Sequence, residues 1–193
     1  MMIELQDIVA VSGKRGVGKS YLVRYLIQNL SDYMDIIIYD INNEYKDLRK
    51  KALVLKIGSL HDYKKLLDDF VPVKDTFYIF EDIDTIVDQF SMPEPIKDFI
   101  YRGRHKNSGG IFVFRRLANI HKQILFNSHY LFMFRTHLFL DIKYLEQYIN
   151  GFGERIAWLD NYEFLCLDML QDRFLVAKID GQYMITKERG AFE

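Results

Sequence analysis

The chain is short of several things, and each shortage excludes a class. One cysteine in 193 residues, Cys166, leaves no intrachain disulfide framework and fits a reducing, cytoplasmic compartment. It lies in the apolar run Phe164-Leu165-Cys166-Leu167, where a thiol is expected to be buried and inert rather than nucleophilic. Prolines are three, Pro72, Pro93 and Pro95, and no Gly/Ser-rich linker breaks the chain, so residues 1–193 are expected to form a single domain. No apolar run approaches the ~20 residues of a membrane span. The N-terminus lacks the basic-then-apolar pattern of a secretory signal. A net charge of −1 argues against a protein that coats nucleic acid with overall positive charge.

The most informative absence is local. Residues 101–140 contain no Asp or Glu, yet hold seven Lys or Arg and four of the five His. The rest of the chain is therefore net acidic. Within this window "RGRHKNSGGIFVFRR", residues 102–116, places five basic residues around the apolar run Ile111–Phe114. A solvated face is the ordinary outcome of a charge run. A surface that meets a polyanion is the alternative.

What is present is an alternation of short β-type runs with helical patterns. Strands are expected at Asp7–Val11, Asp35–Tyr39, Ala52–Ile57, Thr76–Phe80, Gly110–Phe114 and Tyr130–Phe134. Helices are expected at Ser20–Leu30, Ser59–Phe70, Pro95–Arg104, Asn119–Phe126 and Ile142–Ile149. Near-continuous apolar strands that alternate with helices imply an α/β fold, with a mainly parallel central sheet and helices on both faces. From Tyr162 the pattern changes to consecutive strands, Tyr162–Asp168, Arg173–Ile179 and Tyr183–Thr186, with Asp180-Gly181 as a turn. These predict an antiparallel C-terminal edge.

Between the first strand and first helix runs Gly13-Lys14-Arg15-Gly16-Val17-Gly18-Lys19-Ser20, a complete G-x-x-x-x-G-K-[ST] phosphate loop in the strand–loop–helix setting it requires. Its glycines let backbone N–H groups wrap phosphates, and the helix N-terminus adds partial positive charge. Lys19 is expected to reach the β- and γ-phosphates, Ser20 to hold Mg²⁺, and Tyr21 to complete the ATP-binding segment. A second strand, "TFYIFEDID", delivers Glu81 and Asp82 to its C-terminal end, where parallel sheets form their ligand crevice. One acid suits the metal shell and the other the attacking water. Glu81 is assigned to metal and Asp82 to water, an assignment open to exchange. Asp84 either joins this acid group or, as the first choice, caps the following helix.

Rival P-loop classes are separable by residues. Lys14 suits the deviant loop of ParA/MinD-like dimeric switches, but Arg15 stands where that loop has Gly. A GTPase requires Asn-Lys-x-Asp, which does not occur. A small-molecule kinase requires an arginine-bearing lid, whereas here the arginines flank a core strand.

The stretch "RGRHKNSGGIFVFRRLANIHKQILFNSHYLFMFR", together with the P-loop and "YDINNEY" (residues 39–45), resembles FtsK/HerA-type DNA-translocating ATPases from Val9 to about Ile149. In its compact form the chain is similar to the genome-packaging ATPases of archaeal and bacterial icosahedral viruses with internal membranes. The resemblance implies a RecA-like fold, ATP and Mg²⁺, and a ring oligomer, as a hexamer. It also implies double-stranded DNA gripped through its phosphates, a capsid or membrane vertex protein as partner, and a place in the host cytoplasm or at the vertex. The chain departs from the family's usual order, with Glu81 before Asp82 and Arg115-Arg116 in place of a Thr-Gln sensor. Arg104, Arg116 and Arg135 are the candidates for an arginine finger acting across a subunit interface. Lys106, Lys122 and Lys143 are candidate DNA contacts. His105 is expected to be a hydrogen-bonding partner. His121, His129 and His137 have no metal-ligand spacing.

Overall fold

The structure is a computed structural model and describes residues 2–192. Nine strands form one sheet: β1 (Ile8–Ser12), β2 (Asp35–Asp40), β3 (Leu53–Lys56), β4 (Thr76–Phe80), β5 (Gly109–Phe114), β6 (Tyr130–Phe134), β7 (Glu163–Asp168), β8 (Arg173–Asp180) and β9 (Tyr183–Ala191). Their order across the sheet is β3-β2-β4-β5-β1-β6-β7-β8-β9. β3 through β6 are mutually parallel, and β7, β8 and β9 each add antiparallel to the strand before. The helices are α1 (Lys19–Leu30), α2 (Leu60–Asp68), α3 (Glu94–Arg102), α4 (Lys122–Asn127), α5 (Phe139–Glu146) and α6 (Phe152–Ala157). Among the described residues no helix is long and apolar enough to cross a membrane.

The apolar strands are buried on both faces because each face has its own core. Ile8, Ala10, Tyr78, Phe80, Phe112 and Phe114 pack on one side with residues of α2, α3, α4, α5 and α6. Val9, Val11, Phe77, Ile79, Ile111 and Val113 pack on the other with Leu22, Val23, Leu26 and Ile27 of α1. Alternate residues of one strand thus serve opposite cores. Helices cover both faces as expected, but unequally.

Close packing marks both ends of the strands. Tyr39, Phe80 and Phe112 stack in series, with ring centroids 5.2 and 4.9 Å apart. Each such buried ring contributes roughly 1.5–3 kcal/mol by removal from water. At the opposite edge, a Cβ on Gly109 would lie 2.2 Å from the Asp7 carbonyl oxygen, so this residue allows β5 to enter close against the chain leading into β1.

The element boundaries depart from the expectations in the C-terminal third. The helix expected at Ile142–Ile149 spans Phe139–Glu146, and a further short helix, α6, follows it. The helix expected at Asn119–Phe126 divides into a 3₁₀ turn, Leu117–Asn119, and α4. β9 continues to Ala191, five residues beyond the expected Thr186.

Candidate active site

Every parallel strand points its C-terminal end to one edge, and there the chemistry gathers. The loop from β1 to α1 is closed at its base by the Gly13 N–H, which donates to the Phe114 carbonyl of β5 (3.2 Å). Gly16 and Gly18 have φ of 83° and 111°, a left-handed backbone that favours glycine. Gly18 caps α1 without a side-chain cap, and no acid stands in the first helical turn. The helix N–H groups and their partial positive charge are thereby left for an anion. Lys19 is buried and folds over the loop, with its Nζ donating to the Lys14 carbonyl (3.3 Å).

β4 is buried along its whole length and delivers Glu81 beneath the loop. Glu81 is 1% exposed and its Oε2 accepts a 2.6 Å hydrogen bond from the Tyr45 hydroxyl. Burial pushes its carboxyl up to about 8, against the pull of Tyr45 toward ionisation. The same Tyr45 hydroxyl is hydrogen-bonded with Ser20. One phenol therefore joins the helix-start hydroxyl to the strand-end acid. Tyr45 was not assigned from sequence, although it closes the "YDINNEY" segment. It is fixed twice. The Asp40 carboxylate accepts from the backbone N–H of Glu44 and of Tyr45, both at 2.9 Å. Arg24 of α1 lies 5.5 Å from the centre of the Tyr45 ring and binds the Asp47 carboxylate and the Glu44 carbonyl. An aspartate four and five residues ahead of two loop amides is the signal that could have pointed to this turn.

Asp82 has a left-handed backbone, φ 43°, which Asp tolerates better than most residues. Its Oδ2 accepts from the Asn42 side-chain amide (3.0 Å). The two adjacent acids thus occupy different surroundings, Glu81 buried against Tyr45 and Asp82 at the rim beside Asn42.

Asp84 does not cap a helix. It lies inside the 3₁₀ turn Ile83–Thr85, with a nearly fully buried side chain. Its carboxylate accepts from the Arg115 backbone N–H, the Arg115 Nε and the Asn119 amide, each at 3.2 Å. The sequence expectation failed because the partners, Arg115 and Asn119, come from the chain that follows β5, 31 and 35 residues on.

The three candidate arginines separate. Arg116 turns to the buried Asp141 (3.6 Å), and its Nε is buried without a partner. Arg135 follows β6 and donates to the Asn161 Oδ1 (2.6 Å). With Lys14, Arg15, Gly16 and Val17 it lines a small cavity on the outer side of the P-loop. Arg104 sits in the 3₁₀ turn Gly103–Lys106 that leads into β5, at the opposite edge of the sheet, and forms no ion pair among the described residues. Its neighbour Lys106 donates to the Pro72 carbonyl (2.9 Å). Lys122 opens α4 and Lys143 lies on α5, so the three candidate DNA lysines are on three separate elements. His121 caps α4 by accepting from the Gln123 N–H (3.2 Å). His129 accepts from the Ile8 N–H (2.9 Å).

Comparison with known proteins agrees with this geometry. Residues 5–128 match the family model for the central domain of helicase HerA. No curated protein matches the chain. Among solved structures, the genome packaging NTPase B204 of Sulfolobus turreted icosahedral virus 2, in complex with sulfate, superposes with a TM-score of 0.78 at 20% identity, over 94% of this chain and 100% of that one. Its complex with ATP-gammaS gives 0.75 at 21% identity, over 89% and 96%. VirB4 of Thermoanaerobacter pseudethanolicus gives 0.62 at 10% identity, over 95% and 89%. With its phosphate loop and strand-end acids in place, the chain belongs to the helicase HerA central-domain family and is an ATP-hydrolysing P-loop enzyme.

Proposed function

We propose that this chain, as a single domain, is the subunit of a ring motor, a hexamer, that spends ATP to move double-stranded DNA, and that the DNA is a viral genome entering a capsid. The observation that carries the reading is the separation of functions across the sheet. Phosphate loop and acids share one edge, while Arg104 stands at the other without a carboxylate partner among the described residues, available to a neighbouring subunit's nucleotide. The likeness in fold and compact size to a genome packaging NTPase supports the choice of DNA packaging. A capsid or membrane vertex protein is the partner this role requires, and the host cytoplasm the place of action.

In this reading the N–H groups around Gly16 and Gly18 wrap the phosphates, and Lys19 swings from the Lys14 carbonyl onto the β- and γ-phosphates. Ser20, Glu81 and Asp82 offer only oxygen donors, a set that fits Mg²⁺. When bound there, Mg²⁺ would supply positive charge that neutralises the charge developing on the phosphates. Glu81, held by Tyr45 beside Ser20, takes the metal side. Asp82, at the rim, orients water toward the γ-phosphate. Arg135 stays with its own loop. Arg104 serves the neighbour, and Arg116 braces the nucleotide edge through Asp141. DNA contact is made mostly through phosphates, because a motor must run along any sequence.

The test is phosphate release from ATP and Mg²⁺, with and without long double-stranded DNA, at low and high protein concentration. Stimulation by DNA, and a rate per subunit that climbs with concentration, are expected. A slow rate indifferent to both would remove the motor and favour a dimeric nucleotide switch.

A further inference from the structure

Tyr63 carries a hydroxyl that does nothing for the fold. The residue is fully buried, and among the described residues its hydroxyl has no hydrogen-bond partner. An unsatisfied buried polar group costs stability, and phenylalanine would fill the same space without that cost. Two more orphaned atoms lie at the nucleotide edge, the Ser12 Oγ at the end of β1 and the Arg116 Nε just after β5. The deficit therefore belongs to the edge rather than to one side chain, and such a deficit calls for a reason.

The place of Tyr63 in the chain aims it at that edge. β3 ends at Lys56, and the Ile57 N–H donates to the Asp40 carbonyl at the end of β2 (3.1 Å). α2 follows at Leu60, capped by Ser59, whose hydroxyl accepts from the Asp62 N–H (3.1 Å). Tyr63 stands in the first turn of α2, its N–H donating to the Ser59 carbonyl (3.0 Å). Helical side chains lean back toward the helix N-terminus, so the phenol points from this turn to the strand ends. Tyr63 packs in the core that holds Tyr39, Phe80 and Ile83, whereas Tyr45 belongs to the core on the α1 side. The end of β4 thus stands between two buried phenols, one from each face of the sheet. Burial keeps the proton on Tyr63, and the charges of Glu81 and Asp82 add to that effect. Glu81 has an oxygen to spare: Tyr45 donates to its Oε2, and its Oε1 accepts no hydrogen bond among the described residues.

We propose that Tyr63 is a positioning residue for ATP hydrolysis: its hydroxyl donates to the Glu81 Oε1 when nucleotide is bound, so that two phenols hold the carboxyl from opposite faces of the sheet. The inference rests on the place given to Glu81 in the hydrolytic site and names what fixes its second oxygen. A carboxyl group accepts more than one hydrogen bond, and one held by a single donor still swings about that bond. A second donor removes the swing. The idle hydroxyl is then a local rule broken at a functional site, stability given up for a contact made during turnover. Tyr63 touches neither nucleotide nor attacking water and acts only through Glu81.

Tyr63→Phe in the full chain separates this role from a structural one. Thermal unfolding without nucleotide should give a Tm equal to or above that of wild type, because the orphaned oxygen is gone. Steady-state phosphate release from ATP should show a kcat lower by roughly threefold to tenfold, the loss expected for one hydrogen bond made in the hydrolysing state, with KM unchanged. An unchanged kcat, or a loss confined to KM, would overturn the proposal. So would a lower Tm without nucleotide, since the hydroxyl would then already have a partner in the fold, such as a buried water. Glu81→Gln at the wild-type rate would instead remove Glu81 from the hydrolytic site, and the proposal with it.

Discussion

Tyr45→Phe removes one oxygen atom from the centre of the candidate site and leaves the rest of the side chain in place. Tyr45 is fully buried, and its ring lies beneath the Arg24 guanidinium. The lost hydroxyl is the 2.6 Å donor to Glu81 and the bridge to Ser20. A carboxyl pushed up to about 8 is mostly protonated at neutral pH, so this bond counts as neutral and contributes about 0.5–1.5 kcal/mol. For a chain of this size that corresponds to a fall in Tm of about 1–6 °C. If the same bond sets the position of Glu81 toward the metal side, its loss appears in the chemical step as well, as roughly a tenfold or greater fall in hydrolysis. The Mg²⁺ concentration for half-maximal rate should rise, because the acid is no longer held beside the Ser20 hydroxyl. Tyr45→Ala, by contrast, opens a cavity that costs about 3–5 kcal/mol and reports mainly on folding. The assay is steady-state phosphate release over a Mg²⁺ series, alongside thermal unfolding. A Tyr45→Phe protein with a lowered Tm but an unchanged rate and unchanged Mg²⁺ dependence would refute the reasoning. The Tyr45–Glu81 bond would then be a fold contact alone.

Two further outcomes follow from the placement of charge. Arg104→Ala and Lys19→Ala chains should each hydrolyse ATP poorly, and mixing them should restore part of the rate, since each supplies what the other lacks. A mixture no more active than its components would deny Arg104 a role across the interface. Asp84→Ala leaves the Arg115 N–H and the Asn119 amide without their acceptor, and one unsatisfied buried group costs about 1–3 kcal/mol. Thermal unfolding should show a fall in Tm of about 2–12 °C, and an unchanged Tm would mean that water or other groups replace the carboxylate.

The parts of this protein that were legible in its sequence are those whose physics is local. The P-loop is legible because backbone wrapping fixes the spacing of its glycines, Lys19 and Ser20. The acids at the end of β4 are legible because a strand buried on both faces can place charged residues only where it stops. What escaped depends on distant partners or on weak local signals. Tyr45 and Glu81 are 36 residues apart, and nothing in either neighbourhood declares the bond. α6 has six residues, too few to show a period, and its start is secured from outside by the Glu146 carboxylate, which accepts from the Gly151 and Gly153 N–H groups. β9 runs through Lys187-Glu188-Arg189, charges that suit an exposed edge strand and hide it from any apolar pattern.

The acid-free window of residues 101–140 is where sequence and fold diverge most, and the divergence has a simple cause. β5 and β6 both run through it, so the window crosses the sheet twice and its charges are divided between the two edges. At the nucleotide edge the positive charge is matched from other segments, Arg115 by Asp84 and Arg116 by Asp141. Part of the apparent excess is therefore an effect of reading in one dimension. At the far edge Arg102 pairs with Asp98 one helical turn away, while Arg104 has no carboxylate of its own among the described residues. The position of β5 inside it decides that Arg115 and Arg116 pair with buried carboxylates at the nucleotide edge, while Arg104 stands at the other edge.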